Sequence, residues 1–149
     1  MTYKWGTRSL EILQHALMHR KVYSFMDDVL RVSTVDFSVI DGVRKQSEQV
    51  KMFQDGLSEL DGIMQKSDHQ PNKFDDGLAR AIDCIPVYDG DIWDDSDVSA
   101  LCAWSEFFRA ILRVDRLWKM RGLDVGLELG WTYNIKKGRD YPHISFKKL

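Results

Sequence analysis

Between Asp97 and Met120 the chain carries Leu101, Trp104, Phe108, Ile111, Leu112, Val114 and Trp118 at helical spacing, and Gly122 stops the run. A helix this long with one broad apolar stripe must lay that stripe on another layer. The segments on offer are mostly short and alternating. "DFSVIDG" alternates Phe37 and Val39 before a turn at Asp41-Gly42, "ARAIDCIPV" has one apolar face and closes near a proline, and a last short strand is expected around His143 to Phe146. Two more stretches have helical spacing. From Thr7 to about Arg31, Leu10, Leu13, Leu17, Val22, Phe25, Met26, Val29 and Leu30 predict one amphipathic helix, or two broken near "HRKV", with Ser9 as N-cap. Lys45 to Gln54 predicts another, stopped by Gly56. The sum is an α+β fold, a small, mostly antiparallel sheet packed against helices, and 149 residues suffice for one domain spanning 1–149.

Charge narrows the function. The formal net charge is −2 and the basic residues are scattered, so no broad positive field argues for nucleic acid. No run approaches the ~18 apolar residues of a bilayer span, which argues against stable membrane insertion. The opening "MTYKWGTRSLEILQHAL" is too polar for a secretory h-region, so synthesis in the cytoplasm without a signal peptide is expected. Cys84 and Cys102 lack C-x-x-C spacing and are expected to be buried free thiols.

Residues 56–78 form an aperiodic stretch with three glycines and a proline, and a loop this long in a small domain tends to carry function. His69 lies in it. His143 follows "GRDYP", three residues after Asp140. A catalytic zinc takes three protein ligands and leaves a position for water, and His69, Asp83 and His143 supply such a set. Asp140 is then a carboxylate placed to move the proton of that water. By spacing alone, satisfied loop histidines and a strand-end aspartate explain the same residues. His15 and His19, spaced i, i+4 on one helix face, lack the glutamate of H-E-x-x-H and read as surface. Trp104 and Trp118 fall on an apolar face and read as core, whereas Trp93 and Trp131 are expected in loops flanking the cleft. The acidic "DGDIWDDSD" lacks EF-hand spacing and reads as a helix-start cap.

"SDHQPNKFDDGLARAIDCIP" resembles the S-x-H-(loop)-A-x-D-x-x-P signature of the zinc D-Ala-D-Ala carboxypeptidase and L-alanyl-D-glutamate peptidase superfamily, and "DYPHISF" resembles its closing D-x-P-H motif. "DFSVIDGVRKQSEQVKMFQDGLS" and the lead-in "RSLEILQHALMHRKVYSFMDDVLRVSTVDF" are similar to the phage-endolysin branch, so the resemblance covers nearly the whole chain. It implies one Zn2+ bound by His69, Asp83 and His143, Asp140 as catalytic carboxylate, and Arg44 as the group that steadies the oxyanion. Ser67 and Gln49 match motif positions and are expected to orient ligands or substrate, and Ser58 fits a G-x-S turn. The implied activity is hydrolysis of the L-Ala-D-Glu bond of peptidoglycan stem peptides, with D-Ala-D-Ala carboxypeptidase activity as the alternative. A monomer without a separate wall-binding domain, released from the host cytoplasm to lyse the wall, is expected.

The chain departs from the pattern in three places. The spacer between His69 and Asp83 is longer than the short family form, which makes Asp75 and Asp76 rival ligands. Ala79 stands where glycine is common, and Ile144-Ser145 follow His143 where the family often has Phe and then Glu or Gln.

Overall fold

The N-terminal apolar run forms two helices, α1 (Thr7–Leu13) and α2 (Arg20–Val32). The break comes earlier than "HRKV" because the chain leaves the helix to pair with Ala79: its N–H donates to Leu17 O (2.7 Å) and its carbonyl accepts from His19 N (3.0 Å). His15 and His19 therefore do not share a helix face. His15 Nδ1 accepts from Leu17 N, and His19 is the N-cap of α2, accepting from Lys21 N. Ser9 is not a cap either. Gly6 holds that position in α1, while buried Ser9 accepts from Val39 N at 3.0 Å and ties α1 to the sheet.

The structure, a computed structural model, describes residues 3–87, 98–132 and 140–149. Among them the remaining elements are β1 (Asp36–Asp41), α3 (Gln46–Gln54), β2 (Ala81–Val87), α4 (Val98–Met120), β3 (Leu127–Leu129) and β4 (His143–Phe146). The strands form one antiparallel sheet in the order β1-β2-β4-β3. The three residues of β3 are too few to show alternation in the sequence, and they become a strand because β4 offers them an edge.

Period-two alternation sorts the sheet into two faces. Phe37, Val39, Ile82, Cys84, Ile144 and Phe146 are buried in the core with α2 and α4. α2 contributes Val22, Phe25, Met26, Val29 and Leu30, an i, i+3, i+4, i+7, i+8 stripe, and Phe25 meets the rings of Phe146 and Trp118 edge-on. From α4 come Trp104, Phe107, Ile111, Val114 and Trp118, so both tryptophans are core. Leu101 and Leu112, assigned by spacing to the same stripe, are instead exposed. They line an open groove with Trp131, which stacks on Phe108 and does not line the cleft that holds His69 and His143. Cys84 is buried, but Cys102 is exposed, contrary to expectation. Trp93, the acidic "DGDIWDDSD" and the Asp97 start of the last helix lie outside the described residues.

The other sheet face carries Asp83, His143 and Ser145, and over it runs the long connection between α3 and β2, irregular except for a 3-10 turn at Pro71–Lys73. Two fully buried glutamines fix that connection. Gln49 donates to Leu60 O (2.8 Å) and Ser58 Oγ (2.9 Å), and Gln70 donates to Gly62 O (3.0 Å). Gly62, at φ +83°, packs against the Gln49 side chain so closely that a Cβ there would sit 3.0 Å from it.

Candidate metal centre

Strand register brings the first pair of site residues together. Asp83 on β2 pairs directly with His143 on β4, so the two side chains leave the sheet on the same face, one strand apart. His69 comes from the loop. Its Nδ1 lies 2.7 Å from Gly42 O just after β1, and its carbonyl accepts from Arg44 N at 2.9 Å.

The three side chains converge on one point. His69 Nε2 is 3.2 Å from His143 Nδ1 and 3.4 Å from Asp83 Oδ1, and His143 Nδ1 is 3.5 Å from the same oxygen. The Gly42 carbonyl sets the tautomer of His69, and the Ser145 hydroxyl accommodates that of His143. A carbonyl only accepts, so His69 Nδ1 carries the proton it donates to Gly42 O and Nε2 presents a lone pair. On His143, Nε2 lies 2.6 Å from the Ser145 hydroxyl; with Nε2 as the donor, Nδ1 presents a lone pair as well. Two imidazole lone pairs and a carboxylate thus face one another, and buried Asp83 Oδ1 has no hydrogen-bond donor of its own. Such a set repels itself unless a cation or a proton stands between its members. Ligands about 2.0–2.1 Å from a tetrahedral zinc stand roughly 3.3 Å from one another, which the observed triangle matches. Among the described residues this is the group able to hold a metal ion.

Electrostatics respond to the same crowding. Burial alone disfavours a charged His69 ring, yet the Asp83 carboxylate outweighs it and raises the histidine above its ordinary value. Burial likewise works against the Asp83 anion, but the charge of His69 holds its carboxyl far below the usual range. Asp140 is exposed at the cleft mouth. Desolvation and the negative charge of Asp83 raise its pKa, opposed by His143, His69 and Arg44.

Arg44 lines the same cleft, of about 670 Å³, and is itself buried. Nη1 donates to Gln49 Oε1 (2.8 Å) and Nη2 to Asp41 Oδ2 (2.5 Å), which leaves further N–H donors of the guanidinium unused by these bonds. Gln49 therefore orients Arg44 with its oxygen and the long loop with its nitrogen. Ser67 is buried and accepts from His69 N at 3.2 Å, shaping the turn that presents the histidine. Ser58 accepts from Leu60 N and Gln49 Nε2, as a turn residue does. The rivals to Asp83 stand elsewhere: Asp75 is exposed, and Asp76 is engaged with Arg80 (3.0 Å) and Leu78 N (3.1 Å).

Four supporting residues were not singled out by sequence reasoning. Asp41 anchors Arg44, Gly42 holds His69, Ser145 holds His143, and buried Asp68 pairs with Lys73 and Lys147 at the cleft wall. Ser145 was within reach of the sequence, because i and i+2 in a strand share a face. Gly42 acts through its carbonyl, which no side-chain pattern reports.

A family model described as phage L-alanyl-D-glutamate peptidase matches residues 1–147. Among solved structures, the Serratia marcescens L-Ala D-Glu endopeptidase ChiX is similar, with 22% identity, a TM-score of 0.71, and 98% of this chain and 91% of that one covered. At that identity the likeness speaks to the fold. A search of curated protein sequences returns no significant match.

Proposed function

Because the chain belongs to the family of phage L-alanyl-D-glutamate peptidases, we propose that it cuts the L-Ala-D-Glu bond of peptidoglycan stem peptides with the aid of one zinc ion held by His69, Asp83 and His143. Its substrate is peptidoglycan and its reaction is peptide hydrolysis. The observation that carries the metal assignment is the buried Asp83 oxygen, left without a donor and facing two imidazole lone pairs. When bound there, zinc supplies Lewis-acid activation of water and of a carbonyl.

The chain's own residues do the rest. Asp140 takes the proton of the attacking water and delivers it to the leaving amine nitrogen as the C–N bond breaks. Arg44, pinned by Asp41 and Gln49, donates from its remaining N–H groups to the carbonyl oxygen as negative charge develops there. Its fixed placement means that little reorganisation is needed when that charge appears. The Gly42 carbonyl keeps His69 in the metal-binding tautomer, Ser145 orients the His143 ring and can accept from its Nε2, and Ser67 holds the His69 turn.

The chain acts as a monomer with a single catalytic domain, made in the host cytoplasm and released to lyse the cell from within. One continuous core joining helices and sheet supports a single catalytic domain across the described residues. No described helix is long and apolar enough to cross a membrane. The test is lysis of permeabilised Gram-negative cells, with mass spectrometry of the released muropeptides. A new N-terminal D-Glu is expected, abolished by chelator, restored by zinc and absent with Asp140→Ala. Loss of terminal D-Ala alone would assign the chain to carboxypeptidase chemistry, and lysis indifferent to chelator would remove the metal from the mechanism.

A further inference from the structure

Asp68, next to His69, is a buried carboxylate with two ammonium partners. Lys73 Nζ reaches Oδ1 at 2.5 Å from the 3-10 turn of the long loop, and Lys147 Nζ contacts Oδ2 from the end of β4. The carboxylate is 4% exposed, whereas the lysines are 34% and 39% exposed and line the same cleft as His69, Asp83, Asp140 and His143. One cation is enough to neutralise a buried carboxylate; the second is surplus for stability. Glu128 approaches Lys147 only at 4.0 Å and is 41% exposed, where solvent weakens the attraction. A third ammonium, Lys66, lines the same wall and donates to Asn72 O at 3.3 Å. The lining also carries Glu59, Glu128, Asp83 and Asp140, so the positive charge is a local feature of the Lys73–Lys147 pair at Asp68 and not of the cleft as a whole.

The substrate's chemistry supplies a matching anion. A D-glutamyl residue acylated on nitrogen by L-alanine has two carboxyl groups, and the continuing stem uses one. The other remains as a free carboxylate on the leaving-group side of the scissile bond. We propose that Lys73 and Lys147, held on Asp68, form a subsite that binds this free carboxylate and selects acidic over amidated stem peptides. Asp68 is the positioning residue. It fixes two flexible side chains in one place, so less rotamer freedom is lost when the substrate arrives. The inference rests on the peptidase reading for the identity of the ligand.

Two synthetic stem peptides test it, alike except that one carries the free D-Glu carboxylate and the other its carboxamide. Wild-type protein should favour the acid over the amide in kcat/KM on the order of tenfold, as a charge-assisted hydrogen bond implies. In Lys73→Gln/Lys147→Gln that ratio should fall to near one, while Lys73→Arg/Lys147→Arg should retain it. Calorimetric binding of the same peptides to chelator-treated protein should show the same preference and the same loss. Absence of preference in the wild type, or a variant that loses acid and amide equally, overturns the subsite and leaves Asp68 a purely structural tie. If the wild type cleaves neither peptide, the peptidase reading fails, and the calorimetric ratio still decides whether the lysines bind a carboxylate.

Discussion

Ser145 offers the sharpest test of how the proposed metal site is held. Its side chain is fully buried on β4, and its oxygen lies 2.6 Å from His143 Nε2, on the far side of the ring from the ligand cluster. Ser145→Ala removes that acceptor and changes almost no volume. A hydrogen bond to a group that carries charge contributes about 1.5–3 kcal/mol. Once His143 binds a cation its ring N–H becomes such a group, and the bond strengthens in the metal-bound state alone. Before the metal-free state is subtracted, that corresponds to roughly 10- to 100-fold in metal affinity, the range typical for loss of a group behind a metal ligand. In the metal-free protein the same change removes only a neutral contact, worth about 1 kcal/mol. Zinc affinity, measured by competition with a chromogenic chelator, should therefore fall by the difference between the two states, roughly 2- to 30-fold, while urea unfolding of the metal-free proteins differs by about 1 kcal/mol or less. An affinity unchanged within a factor of two, or a loss matched in full by unfolding of the metal-free variant, would refute the reasoning.

Other perturbations follow from named contacts. Gly130→Ala would drive a Cβ into the Asp140 carbonyl and to 2.8 Å from His143 Cβ, so stability should fall by about 1–3 kcal/mol and kcat/KM more steeply, read by thermal melting and peptide hydrolysis. Gln49→Met keeps volume but strips a partner from Arg44 Nη1, Ser58 Oγ and Leu60 O; about 3 kcal/mol of stability should be lost in urea titrations, with kcat falling as Arg44 loosens. For Asp68, Lys147 and Lys73 outweigh burial and hold the carboxyl down at about 2, below its ordinary 3.8. A depressed folded pKa means the stabilisation is complete above about pH 4 and is lost as pH falls toward 2. Asp68→Asn should therefore cost at most about 2 kcal/mol at neutral pH, reduced by the exposure of both lysines, and the gap to wild type should narrow below pH 4 in unfolding measured at several pH values.

What the sequence disclosed follows the reach of local rules. The stripe Val22, Phe25, Met26, Val29 and the alternation around Ile82 and Ile144 report burial directly, so α2, β2 and β4 were legible. The α1–α2 break was misplaced because its cause is a contact with Ala79, sixty residues on. Leu101 and Leu112 were assigned to the core because helical spacing fixes an angle around the axis but not the width of the covering layer. The histidines and aspartates of the centre are visible as residue types. What holds them is not, since Gly42 acts through backbone and Lys147 reaches Asp68 through a long side chain from a distant strand end.

The centre and the core are nonetheless one constraint. Asp83 and His143 oppose each other only in the register that also pairs Ile82 with Ile144. A one-residue rotation of either strand would turn Asp83 or His143 toward Phe25 and Trp118 and expose the isoleucine beside it. Burying an ionised carboxylate there costs several kcal/mol, and exposing an isoleucine forfeits about 1.5–3 more. The apolar alternation therefore selects the register in which the ligands meet, with no need for metal to guide the pairing. It follows that chelator-treated protein should keep its sheet, with exchange of the Cys84 amide, which donates across to Pro142 O, still slow, and lose only the stabilisation that a bound cation adds. A metal-free protein whose β2–β4 amides exchange freely would show instead that the cation, and not the hydrophobic pattern, sets the register.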